Sequence, residues 1–123
     1  MTSVISVVDD DASMRESLTS LLRSHGFAVR TFASAEEFLQ SGQAPATRCL
    51  LLDVRMPGMS GLELQERLGG ERRRTPIIFL TAHGDEQARA RALEAGAVDF
   101  LSKPFSEGAL LEAVRAALGG PVA

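Results

Sequence analysis

The chain has no tryptophan, no tyrosine and a single cysteine in 123 residues. One cysteine, Cys49, cannot close an internal disulfide, so the fold must stand on its core, and the expected setting is a reducing cytosol. No apolar run approaches the ~18 residues that a membrane span needs. The N-terminus lacks the basic start and apolar core of a secretory signal. A net charge of -3 gives no general pull toward nucleic acid. What remains is ordinary globular composition, 45% hydrophobic and 24% charged, which argues against disorder. The length is that of one domain able to bury a real core.

Apolar runs then alternate with helix-like runs from end to end. Residues 3–8 (SVISVV), 49–54 (CLLLDV) and 76–82 (PIIFLTA) read as buried strands. Residues 27–32 (FAVRTF) alternate apolar and polar, which predicts a strand exposed on one side, and 97–102 (AVDFLS) read as a fifth strand. Between them, 13–25 carries Met14, Leu18, Leu21 and Leu22 on one helical stripe, and Ser34 with Glu37 predicts a capping box ahead of a second helix. Residues 61–70, 85–96 and 106–118 read as three further helices. Five strand–helix units with short connections predict an α/β fold, a parallel sheet doubly wound with helices on both faces.

Three aspartates in a row, Asp9, Asp10 and Asp11, end the first strand. Like charges repel, and aspartate suits neither a strand interior nor a helix interior. The arrangement gains sense from the other strand ends. Asp53 leaves strand 3, Thr81 strand 4 and Lys103 strand 5, all at the C-terminal edge where doubly wound folds place their chemistry. With strands 1 and 3 adjacent, three carboxylates converge, and such a cluster calls for a divalent cation. Magnesium suits few carboxylates, retained waters and phosphate oxygens. In that setting Asp53 is the expected nucleophile toward a phosphoryl group, with the Thr81 hydroxyl and Lys103 at the rim. Lys103-Pro104 raises the expectation of a cis bond, which lies about 0.5–1 kcal/mol above trans before proline.

The stretches VVDDD, LLDVRMPGMSGLEL, FLTAHGD and AGAVDFLSKPF resemble the response-regulator receiver domain of bacterial two-component systems, with wording closest to FixJ-like receivers. The resemblance covers essentially the whole chain. It implies a flavodoxin-like (βα)5 sheet of order 2-1-3-4-5, with the receiver in residues 1–118 and a tail or linker start in 119–123. It implies Asp53 as phosphoacceptor, Asp10 as direct ligand of Mg2+ (or Mn2+ in its place) and Asp9 as a ligand through water. Arg55 sits where the family offers a backbone carbonyl to the metal. Thr81 and Lys103 match the family's hydroxyl and lysine, and Phe100 its aromatic switch position, here without the hydroxyl of a tyrosine. The implied partners are a sensor histidine kinase, expected to dock near Met14 and Arg15, and a second copy after phosphorylation, through the face of helix 4, strand 5 and helix 5. DNA enters only through an output domain outside this chain, and no membrane is involved. The domain is not expected to turn over an external substrate; autodephosphorylation is the one catalytic act left to it.

Three other readings fit these residues less well. A phosphorylation-independent binding module would not need the full set of polar residues that is present. An aspartate-nucleophile phosphatase resembles a D-x-D-x-T pattern, but Val54 and Arg55 follow Asp53. A flavin site needs a Ser/Thr/Gly phosphate loop where this chain has three acids. Asp11 is expected to cap helix 1. Pro57, Gly58 and Gly61 read as turn chemistry. Phe27, Phe32, Phe38 and Phe79 read as core, and Cys49 as a small buried hydrophobe. His25 reads as a helix-end residue and His83 as exposed at the rim, where with Arg55 it could flank a phosphate. The run Glu71 to Arg74 reads as a solvated loop.

Overall fold

The computed structural model describes residues 4–69, 75–81 and 85–119. Its strands are β1 (Val4–Val8), β2 (Ala28–Phe32), β3 (Cys49–Asp53), β4 (Ile77–Thr81) and β5 (Asp99–Ser102). The helices are α1 (Ala12–Ser24), α2 (Ala35–Ser41), α3 (Gly61–Arg67), α4 (Glu86–Glu94) and α5 (Glu107–Ala117), with one 3-10 turn at Ala44–Ala46. All strand pairs are parallel, and the sheet order is β2-β1-β3-β4-β5. That is the flavodoxin-like order expected. Among the described residues, no helix is long and apolar enough to cross a membrane.

Period-2 alternation along the strands builds two cores. Val8, Leu50, Leu52, Ile77, Phe79 and Phe100 face α2, α3 and α4, meeting Phe38, Leu64, Ala88 and Ala92. Ile5, Val7, Leu51, Ile78 and Leu80 face α1 and α5, meeting Leu18, Leu22, Leu110 and Val114. Every residue of β3 and β4 is buried, which is why both read as unbroken apolar runs. Each fully buried leucine or isoleucine contributes about 1.5–3 kcal/mol, so these two strands anchor the domain.

Edge strand β2 departs from the one-sided expectation. Val29 packs on the α1/α5 side and Phe32 on the opposite side, while Arg30 and Thr31 are exposed. An edge strand has one neighbour, so it presents polar groups on either face where the helices stop short. Phe27 precedes β2 and is only half-buried against the α1/α5 core. Met14 is also half-buried there, at the edge of the stripe it shares with Leu18, Leu21 and Leu22.

The helix starts follow local chemistry. Asp11 caps α1, accepting from the N–H groups of Ser13 and Met14. Ser34 accepts from Glu37 N at 3.0 Å, but the reciprocal capping box forms at Ser60 and Glu63 of α3 instead. Glu37 is exposed and its neighbour Glu36 turns toward the β3–α3 connection. Gln65 of α3 is buried, and its amide donates to the α4 carbonyls of Ala92 and Ala95 at 3.1 and 3.4 Å. The Lys103–Pro104 bond is cis.

Gly61 opens α3 for a steric reason rather than for turn chemistry alone. A Cβ there would lie 2.2 Å from the carbonyl oxygen of Asp53. Backbone cannot yield as a side chain can, so Gly61→Ala is expected to destabilise the domain by about 3 kcal/mol in urea unfolding. Among the described residues, Gly108 in α5 has nothing within 4 Å of the same position. Gly108→Ala should therefore stabilise by about 0.5–1 kcal/mol in the same assay.

Candidate functional site

The chain leaves β1 toward β2 on one side and returns beyond β1 to build β3 on the other. The crevice at the C-terminal ends of β1 and β3 is therefore the point where the winding reverses, and all the expected polar residues line it. Asp9 directly follows β1, Asp53 ends β3, Thr81 ends β4 and Lys103 directly follows β5. Parallel pairing in register brings these ends level: Asp53 pairs with Leu80, and Thr81 with Ser102.

One carboxylate oxygen from each of Asp9, Asp10 and Asp53 lies within 4.8 Å of the others. Asp9 is buried, and both its oxygens are engaged. Oδ1 accepts from Asp11 N at 2.9 Å, and Oδ2 from Lys103 Nζ at 3.0 Å. Lys103 Nζ stands 3.9 Å from Asp53 Oδ2. Asp10 is exposed and opens the cluster to solvent. Three carboxylates thus face one ammonium.

This imbalance shows in Asp53. Burial raises its pKa to about 6, aided by the charges of Asp9 and then Asp10, while Lys103 and the Arg55 N–H work the other way. A set of hard oxygen donors with excess negative charge suits a hard divalent cation, and Asp9, Asp10 and Asp53 are the residues that could hold it.

Thr81 forms the β4 side of the crevice, and Phe100 stands behind it. Thr81 is buried at the end of β4, and its carbonyl accepts from Lys103 N at 2.7 Å. Phe100 is buried against Phe79, ring centroids 6.0 Å apart. Cys49 lies at the far end of β3, fully buried, with its thiol pushed up to about 12 by desolvation. It is inert, as expected of a small core hydrophobe. His83 and the run 71–74 lie outside the described residues.

Two features escaped sequence reasoning. The Arg55 guanidinium pairs with Asp85, its Nη2 and Nε 2.7 and 3.0 Å from Oδ2, and Asp85 also caps α4 through Ala88 N. An aspartate just ahead of a helical run signals a cap, but nothing local signals its pairing with a residue 30 positions away. Glu36 of α2 reaches the β3–α3 connection across 23 positions, again with no local signal. Arg15 Nη1 also donates to the Asp9 carbonyl at 2.7 Å, tying α1 to the crevice.

Comparison with known proteins gives this geometry a family. Residues 5–115 match the response regulator receiver domain. Nodulation protein W of Bradyrhizobium diazoefficiens is 54% identical over 115 residues, 94% of this chain and 51% of that protein. The transcriptional regulatory protein TdiR of Thauera aromatica is 51% identical over 116 residues, again 94% and 51%. The chain thus spans about half the length of these curated relatives. The crystal structure of FixJ-N superposes with a TM-score of 0.86 at 42% identity, covering 100% of this chain and 98% of that one. The chain belongs to the response regulator receiver domain family of two-component systems.

Proposed function

We propose that the domain is a phosphorylation switch in which Asp53 accepts a phosphoryl group from a sensor histidine kinase in the cytoplasm. The observation that carries this is the convergence of Asp9, Asp10 and Asp53 around the single ammonium of Lys103. Asp10 and Asp53, with the Arg55 carbonyl, would hold Mg2+ directly. Asp9 would act through water, consistent with both its oxygens being engaged already. When bound, the cation supplies charge neutralisation for the transferring phosphoryl oxygens. An Asp53 oxygen forms the new bond to phosphorus as the bond to the donor's leaving group breaks. Lys103, 3.9 Å from Asp53, stands ready to pair with the phosphoryl oxygens, and the Thr81 hydroxyl to donate to one of them. No external substrate is turned over; loss of the phosphoryl group to water resets the switch.

The kinase docks on the groove between the start of α1 and the Pro104–Phe105 turn. Met14, Leu18, Leu21 and Phe105 line this groove of ≈ 230 Å³ beside the crevice. The output face is α4, β5 and α5. Phe100 answers Thr81 across this face, and α4 grips the core only through Ala88 and Ala92. Two large hydrophobics are exposed there among the described residues, Leu93 on α4 and Val98 before β5. A second copy of the domain covers them after phosphorylation. Residues 1–118 form the receiver, and 119–123 begin a tail or linker. The name of TdiR supports transcription, through a DNA-binding domain outside this chain, as the controlled output.

Three measurements test this reading. Intact-mass spectrometry after acetyl phosphate should show one added phosphoryl group that needs Mg2+ and is absent from Asp53→Asn. No gain in the wild type, with acetyl phosphate or with a phosphorylated kinase, would overturn it. Light scattering should show a monomer that becomes a dimer on phosphorylation and stays monomeric in Val98→Glu. Equal masses for the two wild-type forms would remove the dimer.

The third measurement uses the Asp53 carboxyl. Its folded pKa lies above the unfolded value, so the folded state binds the proton more tightly and stability falls as pH rises from about 4 toward 6. Above pH 6 the metal-free domain carries the full penalty of the ionised group. In EDTA at pH 7.5, Asp53→Asn should therefore melt several degrees above wild type, a gain of at most about 3 kcal/mol. The gap should close below pH 4, and Mg2+ should stabilise the wild type more than the variant. Thermal melts followed by circular dichroism read all three.

A further inference from the structure

The connection from β3 to α3, residues 54–60, begins beside Asp53 and carries Arg55. Its two ends are drawn together by Gly61 N, which donates to Val54 O at 2.9 Å. Its middle, Pro57-Gly58-Met59, is held by a side chain from another element. Glu36 Oε2, in the first turn of α2, accepts from Met59 N at 3.0 Å. Gly58 sits at φ +77, and a Cβ on it would lie 2.5 Å from the same Oε2. The carboxylate thus occupies the space that the glycine leaves. Glu36 Oε1 is buried and has no hydrogen-bond partner among the described residues. The Met59 N–H, and then the N–H of Glu36 itself, hold the Glu36 carboxyl below the usual range against the opposing effect of burial, so the bond to the connection is a favourable one. It is well suited to fixing a loop whose path matters.

That path matters at the crevice. The Arg55 N–H favours the ionised Asp53 carboxylate, and Gly61 lies against the Asp53 carbonyl. A shift of the connection therefore moves both the acceptor carboxylate and the backbone around it. We infer that Glu36 is a positioning residue of the phosphoryl-accepting site, clamping the β3–α3 connection so that Asp53 and the Arg55 backbone are set for the cation. The inference rests on the phosphorylation reading above. It gives α2, which touches none of the reacting groups, a hold on the chemistry, as partners behind metal ligands commonly have.

Isothermal titration with Mg2+ tests it, with melting temperature measured in parallel. Glu36→Ala should raise the Mg2+ Kd by about tenfold. Glu36→Gln keeps an acceptor oxygen and the volume, and should bind close to wild type. Should Gln fall together with Ala, the effect is the lost charge and the positioning role is overturned. A lower melting temperature with an unchanged Kd in Glu36→Ala also overturns it, since the clamp would then serve stability alone. Should Glu36→Ala not fold, the wild type still decides. Linkage requires Mg2+ to strengthen the Glu36–Met59 bond, so the Met59 amide should exchange more slowly with deuterium when Mg2+ is added. An unchanged exchange rate overturns the inference. Wild type that binds no Mg2+ and takes no phosphoryl group would instead strike the phosphorylation reading beneath it.

Discussion

Repulsion among Asp9, Asp10 and Asp53 is the constraint from which the rest of the crevice follows. Buried like charges are unfavourable unless something opposes them. Here one lysine does so from across the sheet, 94 positions away in sequence from Asp9. It satisfies Asp9 and leaves Asp53 under-compensated, with a carboxyl that titrates near pH 6 rather than in the usual range. A site so poised favours whatever brings positive charge.

The fold supplies this constraint through topology rather than through any one loop. Reversal of winding between β1 and β3 opens a crevice that no crossover helix covers. Register then brings the ends of β4 and β5 level with it, so that Thr81 and Lys103 arrive from the other half of the sheet. The two cores beneath are unbroken under β3 and β4, which lets the edge above them carry charge without loss of the sheet. Thr81 and Phe100 then connect the crevice to the side of the sheet where α4 lies.

Much of this was legible from residue patterns. Buried parallel strands announce themselves as apolar runs, and polar residues placed at their ends must gather on one edge. The same logic marked Asp11 as a cap and Cys49 as core. What stayed hidden has a common cause: it depends on distance in sequence or on a missing neighbour. β2 shows apolar residues to both faces because it is an edge, which its own alternation could not reveal. Glu37 carried the spacing of a capping box, yet only the Ser34 half formed, while Ser60 and Glu63 built the complete one. Asp85 and Glu36 bind partners 30 and 23 positions away, and such contacts exist only once the chain has folded. Gly61 looked like turn chemistry because a sequence does not show which carbonyl will press against it.

The buried Gln65 amide carries a mechanical consequence. It binds two carbonyls at the C-terminal end of α4, and the bond to Ala92 is buried, where hydrogen bonds are hard to replace. The other end of α4 is fastened to Arg55, which is 75% exposed, by an ion pair that solvent and salt weaken. Between them the helix rests on alanines, which interlock shallowly. Stiffness along α4 is therefore graded, firm at the tail and soft at the head. A helix so mounted has the bearing of a lever, held at Gln65 and least constrained at the end where Asp85 meets Arg55.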